Sequence, residues 1–368
     1  MAPLLALVTA AAQAAPVTDC PLRDAPFSVD SPLIDVLLSP AATAVLHRAW
    51  PGAKALPDWQ TKTLTPSFAT LITLRSLAAQ PGFPALQTLD AQLRAVPVNQ
   101  ADRAARCARY DDDVPPAAIA PASPGASRLL VFEKVNGFLH GPAIQAARNV
   151  LQAMAQRRGW SLTVTDKGGA MTPAYLRSFD AVIWNHVSGD VLTLSQRAAF
   201  QGYIEAGGGF VGVHGSGGDP QTFWDWYVDT LVGARFKGHP MKPQFQDARI
   251  VIQDRASPIV AGLGDGWTMS DEWYSFKNNP RAGGAYILAT LDESTYAPGD
   301  LAMGSDHPIV WTRCVGRGRA FYSAIGHRPE AYAVPQHVTL LEQAVTWAAG
   351  KSAAHCSGAS RAMPATAP

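Results

Sequence analysis

The sequence predicts an α/β protein built on a mostly parallel sheet with helices on both faces, preceded by a small helical region. Three observations carry this. Between residues 128 and 350, short strands that are apolar on both faces alternate with amphipathic helical segments, the pattern of buried parallel strands. Residues 15–113 show only helical periodicity. Between them, residues 114–127 are rich in Pro, Ala and Ser, a composition that buries no core and marks a boundary.

In chain order, residues 1–14 read as a signal peptide. An apolar stretch, Leu4 to Val8, precedes Ala12-Gln13-Ala14, an A-x-A cleavage pattern. The basic n-region is missing, as expected if the recorded start lies inside the true signal. The mature chain is therefore expected to be exported, periplasmic or extracellular. No segment approaches the ~18 apolar residues of a spanning helix. The four cysteines, Cys20, Cys107, Cys314 and Cys356, have no CxxC spacing, and an even count in an exported chain allows two disulfides. Cys20–Cys107 and Cys314–Cys356 are favoured, because each would staple one unit to its own tail.

In the helical region, Thr65-Pro66 reads as an N-cap with proline at the first helical position. Phe68, Leu71, Ile72 and Leu77 would then form that helix's apolar face. Leu86, Leu89, Leu93 and Val96 step by three and four and predict another helix. Nothing in this stretch suggests chemistry, so it is expected to be an accessory domain.

The main domain opens on the strand Leu129-Leu130-Val131-Phe132. Pro142 starts a helix with Ile144, Ala147, Leu151 and Met154 on one face. Strands follow at Ser161 to Val164 and Ala181 to Trp184. Thr193 and Gln196 form a capping box for a helix through Phe200, Tyr203 and Ile204. Gly207-Gly208-Gly209 ends it, and Phe210-Val211-Gly212-Val213 is the next strand. Further strands are expected near Ile250, Ile287, Val310 and Phe321, with a last helix from Pro335 through Val338, Leu341, Val345 and Ala348. Residues 351–368 are a tail.

The chain has 368 residues, 30 Lys and Arg against 29 Asp and Glu, and a formal net charge of +1. Charged residues are 16%, against a usual ~25%. With no basic block there is no electrostatic footprint for nucleic acid or an anionic membrane. The oligomeric state stays open, a homo-oligomer included.

In an open parallel sheet, ligands bind at the carboxyl ends of the strands. Here those ends deliver His140, then Asn185-His186 with Ser188 and Asp190, then His214 before Gly215, and finally Gly326-His327. Histidine is suited to acid/base work near neutral pH and is the commonest metal ligand. Intervening loops add His239, Glu272 and His307. The aromatics Trp224, Trp226, Tyr227 and Trp273 could stack on sugar C–H faces or plug core gaps. There is no G-x-S-x-G elbow, P-loop or H-E-x-x-H. No histidine pair has helical metal-ligand spacing, so any metal site must be assembled from distant loops.

Residues from about 128 to 350 resemble the ThuA-like (trehalose utilisation) family. The matching segments are Val131 to His140 (VFEKVNGFLH), Ser188 to Leu192 (SGDVL), Gly207 to His214 (GGGFVGVH), Phe236 to Pro240 (FKGHP), Asp271 to Tyr274 (DEWY), Asp306 to Pro308 (DHP) and Gly326-His327. The resemblance implies a flavodoxin-like, class I glutamine amidotransferase-like fold. Amidotransferases carry a nucleophilic Cys on a tight turn after a central strand. The corresponding place here holds His214, and none of the cysteines falls on such a turn, so amidotransfer is disfavoured. One departure from the family is the loop after His214, Gly215-Ser216-Gly217-Gly218-Asp219, where the family usually shows an Ala-Ala/Ser-Thr-Asp type sequence.

The family is associated with catabolism of trehalose and of glycosides oxidised at the 3-position, which implies a small carbohydrate substrate. A lyase- or hydrolase-type sugar enzyme is the favoured expectation. His140, His214, His239 and Glu272 would be catalytic. Asn185, Ser188, Asp190, Trp224, Trp226, Tyr227, Trp273, His307 and His327 would bind substrate. A divalent metal is a candidate cofactor, with His140, His214 and Glu272 as its candidate ligands. The alternatives are a non-catalytic carbohydrate-binding protein and a metal-dependent hydrolase of another class.

Overall fold

The structure is a computed structural model that describes residues 17–110, 118–218 and 223–350. The expected signal peptide, the tail and Cys356, and with it the Cys314–Cys356 pairing, lie outside the described residues. The Cys20–Cys107 disulfide is present, with Cα atoms 5.3 Å apart. Among the described residues, no helix is long and apolar enough to cross a membrane.

The N-terminal region contains the helices α1 (Leu33–Leu37), α2 (Pro40–Ala49), α3 (Asp58–Thr61), α4 (Leu86–Arg94) and α5 (Gln100–Cys107). Its own core gathers Phe27, Leu33, Leu46, Trp50, Leu89 and Leu93. Leu89 and Leu93 are the inward face of α4, as their spacing predicts. The helix expected after Thr65-Pro66 does not form. Residues Phe68–Thr70 and Arg75–Leu77 are short 3-10 turns instead. Backbone groups needed for a helical ladder are taken elsewhere: the Ile72 carbonyl accepts from Leu33 N–H, and Ser67 N–H donates to the Asn136 carbonyl.

The main domain holds β1 (Arg128–Phe132), α6 (Gly141–Arg158), β2 (Ser161–Thr165), α7 (Pro173–Leu176), β3 (Ala181–Asn185), α8 (Leu194–Glu205), β4 (Gly209–Val213) and α9 (Gly215–Gly218). After them come β5 (Phe236–Gly238), β6 (Phe245–Ile252), β7 (Gly266–Glu272), β8 (Ser275–Phe276), β9 (Tyr286–Asp292), β10 (His307–Val315), β11 (Gly318–Ser323) and α10 (Pro335–Ala348). One nine-stranded sheet runs β2-β1-β3-β4-β11-β10-β9-β6-β7. Its first five strands pair in parallel, the doubly wound flavodoxin order. The remaining four extend it antiparallel. Right-handed crossovers place α6 and the α7/α8 pair on opposite faces, because β1→β2 and β2→β3→β4 step across the sheet in opposite directions. The capping box at Thr193 and Gln196 starts α8 as predicted, and Pro142 and Pro335 occupy first turns. The segment expected as a linker is not free throughout. Ser161 Oγ donates to the Ala120 carbonyl and Ala120 N–H to Thr163 Oγ1, so residues near 120 lie along the edge strand β2.

On α10, His337 is buried, with Nδ1–H donating to the Ala331 carbonyl at 3.0 Å and Nε2 unpartnered. Burial pushes its pKa down to about 4. The folded chain thus refuses a proton that the unfolded chain binds below about pH 6.5. Stability should be full above that pH and fall as the pH drops toward 4, by on the order of 3 kcal/mol from this residue. Urea midpoints at pH 7.5 and 4.5 should show a smaller drop for His337→Gln. An equal drop in both proteins would remove His337 from the account.

Candidate active site

The four adjacent parallel strands β1, β3, β4 and β11 are followed by His140, His186, His214 and His327. Side-by-side strands therefore bring four histidines from distant sequence positions to one end of the sheet, next to the switch point between β1 and β3. His186 and His214 have φ of 55° and 40°, the left-handed region that non-glycine residues avoid. Such backbone strain clusters at functional sites. His214 lies on the tight turn between β4 and α9, where the resemblance places it.

Hydrogen bonds settle how these rings are used. His214 is fully buried, and its Nδ1 donates to the Ala324 carbonyl at 2.7 Å. That leaves the Nε2 lone pair facing His327 Nδ1 at 3.2 Å, with Glu272 Oε2 at 3.5 Å. The proton on His327 Nδ1 serves both His214 and Glu272 Oε2, the latter at 3.0 Å. The other carboxylate oxygen, Oε1, accepts from Gln244 Nε2 at 2.6 Å and lies 3.2 Å from His239 Nδ1. Because His239 Nδ1 otherwise faces only the Pro240 carbonyl, it carries the proton, and Nε2 keeps its lone pair. This is the carboxylate–histidine arrangement of an oriented general base.

Burial pushes the Glu272 carboxyl up. The adjoining imidazoles of His214 and His327 outweigh this and hold it well below the usual carboxylate range. The His140 pKa is pushed well below the usual value by burial first, then by His214 and His327. Its Nδ1 is buried without a partner. Asp271 accepts from Gly326 N–H at 2.6 Å and Arg328 N–H at 3.2 Å, which fixes the loop carrying His327. The Tyr274 ring stacks on His214 with centroids 4.2 Å apart.

One nitrogen each from His140, His214 and His327 lies within 4.8 Å of the others. A three-histidine set of this kind suits a transition metal with an open coordination position. The Nδ1–H of His214 bound to a carbonyl is the usual outer support of a metal-ligating imidazole. Relative to the set expected from sequence, His327 joins the cluster, and Glu272 sits against it through His214 and His327.

A cavity of about 1380 Å³ opens above this cluster, lined by His140, His239, Glu272 and His327; His214 stands behind it. Trp59, Phe68 and Leu71 from the N-terminal region, where the sequence suggests no chemistry, also line it.

Several residues expected to bind substrate do other work. Asn185 donates to Glu133 Oε1 and the Ile144 carbonyl. Asp190 pairs with buried Arg197. Ser188 Oγ accepts from Phe138 N–H at 2.8 Å and so shapes the cavity rim. Trp224 and Tyr227 pack with Trp184 in the core, and Trp226 lies beside Trp224. Trp273 is buried and donates to the Gln246 carbonyl. His307 is 2.7 Å from Glu293 through Nδ1 and donates through Nε2 to the Tyr274 carbonyl at 2.8 Å. In place of the sugar-stacking role expected for these aromatics, Trp224, Tyr227 and Trp273 are buried and Trp226 packs against the core, with Tyr227 Oη donating to the Ser216 carbonyl. Tyr274, the last residue of the DEWY segment, and Gln244, which no sequence signal singled out, also touch the cluster.

The fold and site together define a flavodoxin-type α/β protein in which a His/Glu cluster stands where amidotransferases place a thiolate. The chain belongs to the ThuA family, described as trehalose utilisation, whose model matches residues 128–348. Membership ties it broadly to carbohydrate utilisation. Among solved structures it is similar to a ThuA-like protein from Bacteroides uniformis, at 24% identity and a TM-score of 0.53, covering 62% of this chain and 94% of that one. It is also similar to a ThuA-like protein from Parabacteroides merdae, at 19% identity and a TM-score of 0.48, covering 62% of this chain and 91% of that one. No curated protein matches.

Proposed function

We propose that this protein is an exported enzyme that cleaves keto-glycosides by histidine-based acid/base chemistry. The observation that carries the proposal is the convergence of His214, His239 and His327 on Glu272, with His140 grouped beside His214 and His327, at the base of one cavity. A 3-keto group acidifies the neighbouring C2–H. A base removes that proton, the C–H electron pair becomes the C1=C2 bond, the C1–O glycosidic bond breaks, and the departing oxygen takes up a proton. Water can then add across C1=C2. His239 Nε2, with its proton-bearing Nδ1 held toward Glu272, is the base best placed for the first step, and His327 can return a proton. The developing enolate needs positive charge or donors nearby; a divalent metal held by His140, His214 and His327 would supply Lewis-acid stabilisation when bound. The Cys20–Cys107 disulfide supports export, because such bonds persist in oxidising compartments.

The test is turnover of a 3-keto-glycoside by the wild type, by His239→Ala and by the His140→Ala, His214→Ala double variant, each with and without chelator. Turnover by the wild type alone is expected, and a loss of wild-type turnover on chelation would favour the metal-assisted form. Normal turnover by His239→Ala or by the double variant would overturn the proposal. Saturable sugar binding without product would instead favour a carbohydrate-binding protein.

A further inference from the structure

The ThuA match begins at residue 128, yet the N-terminal region before it is bound to the rim of the cavity. Ser67 N–H donates to the Asn136 carbonyl at 2.9 Å. Asn136 Nδ2 in turn donates to the Arg109 and Asp190 carbonyls. Gly137 shows how close the approach is: a Cβ there would lie 2.6 Å from Leu71 Cδ2 and 2.5 Å from Ser188 Oγ. On the other side, Asp19 accepts from the Leu194 and Ser195 N–H groups at the start of α8. The N-terminal region is thus a wall of the site, held through both backbone and side chains.

That wall and the main domain share the exposed apolar lining of the cavity. Of the large hydrophobic residues exposed among the described residues, Trp59, Phe138, Leu139 and Met241 line this one cavity. Clusters of exposed apolar side chains mark ligand grooves. Trp59 is 57% exposed and is braced edge-on by Phe68 at 5.1 Å. Phe138 stands 4.7 Å from His140 and 6.2 Å from His327, so the apolar surface begins where the His/Glu floor ends. Most charges on the N-terminal side are committed elsewhere. Arg75 is paired with Asp30, Asp35 with Arg109, and Arg106 donates to the carbonyls of Leu22, Arg23 and Ala25, while Lys62 Nζ donates to the Pro66 carbonyl and keeps its charge at the cavity lining. The cavity, at about 1380 Å³, also exceeds the ~300–1,000 Å³ typical of small-ligand pockets.

We infer that the N-terminal region supplies the leaving-group half of the substrate site, and that the substrate is a glycoside whose aglycone is itself a ring, with Trp59 and Phe138 as its platform. This rests on the keto-glycoside reading for the reacting half. A ring attached at the glycosidic oxygen begins two bonds beyond C1, and the apolar lining begins at Phe138, directly beyond the His/Glu floor. A ring face with C–H groups or π electrons, from a second sugar or an aryl group, fits such a surface.

The test compares the full-length wild type with Trp59→Ala on three substrates: a methyl, an aryl and a disaccharide 3-keto-glycoside. The ratio of kcat/KM for each ring-bearing substrate over the methyl glycoside should fall about tenfold in the variant. A fall for only one of the two would identify the leaving group as aryl or sugar. An unchanged ratio for both would overturn the inference. Equilibrium binding of the disaccharide, read by calorimetry, separates this result from failure of the chemistry. If no substrate is turned over, weaker binding by Trp59→Ala still supports the wall as a ring subsite, whereas equal binding, or none by either protein, overturns it. Phe138→Ala, on the other wall, should lower the same ratio and guards against a local folding defect around Trp59.

Discussion

Replacing Glu272 by Gln should lower kcat/KM on a keto-glycoside by about 10²–10⁴-fold while leaving the fold intact. Each carboxylate oxygen of Glu272 meets N–H groups: Gln244 and His239 at Oε1, His327 at Oε2. An amide has one acceptor oxygen and one donor nitrogen. Whichever way the substituted amide is turned, its NH₂ faces at least one other donor. If it faces His239, the imidazole regains a hydrogen bond by moving its proton from Nδ1 to Nε2, and the base then points a proton at the substrate. If it faces His327, the contact that links the histidine cluster to the carboxylate is lost. Loss of a positioned proton-transfer group typically gives an effect of this size. The checks are steady-state kinetics with circular dichroism, and a variant within threefold of wild type would remove Glu272 from the mechanism. Because the native carboxyl is held well below the usual range, Glu272 itself should stay ionised throughout the pH range in which the protein is folded.

Most of the parallel half of the fold could be read from local signals, because β1, β3 and β4 bury both faces. β1, β3 and β4 are apolar runs bounded by glycine, proline or capping residues. β7 was missed for a physical reason. Trp267 and Met269 point inward in alternation, but the next inward position is Asp271, buried and satisfied by backbone N–H groups of the His327 loop. A polar residue at a core position hides a strand from pattern reading, and here it does so because it supports the site. The Thr65-Pro66 segment shows the opposite failure. Its apolar residues have helical spacing, yet its backbone pairs with Leu33 and Asn136, and no local pattern reports such partners.

At the site, residue type and strand-end position pointed to His140, His214 and His327, because topology alone collects the ends of adjacent parallel strands. What the sequence could not convey was division of labour. Nothing local separates His327, bonded to both Glu272 and His214, from His307, whose two nitrogens are spent on Glu293 and the Tyr274 carbonyl. Both are buried or half-buried histidines in loops or at strand starts. His307 matters indirectly, since it holds the backbone of the tyrosine that stacks on His214. Aromatic residues misled for a similar reason: a tryptophan that fills a core gap and one that meets a sugar look alike until packing is known. Trp59, in the region where no chemistry was expected, is the one that faces the cavity.

Asp35→Ala should destabilise the N-terminal region by about 3–5 kcal/mol and, through it, alter the site. Asp35 Oδ1 accepts from Arg109 Nη1 at 2.6 Å, with both side chains almost wholly buried. Despite burial, which alone would lower it, the Arg109 pKa is raised by Tyr110 and Asp35, so the guanidinium stays charged. Removing the carboxylate strands that charge in the interior, the situation in which breaking a buried pair costs this much. The consequence is not confined to the helices. The Arg109 carbonyl accepts from Asn136 Nδ2, which also donates to the Asp190 carbonyl, so the same residue sits at the junction between the N-terminal region and the strand-end loops. Chemical denaturation should therefore show an early transition in Asp35→Ala, and the variant should lose preference for ring-bearing glycosides before it loses its main-domain fold. A single transition at the wild-type midpoint would show that the Asp35–Arg109 pair contributes little to holding this wall in place.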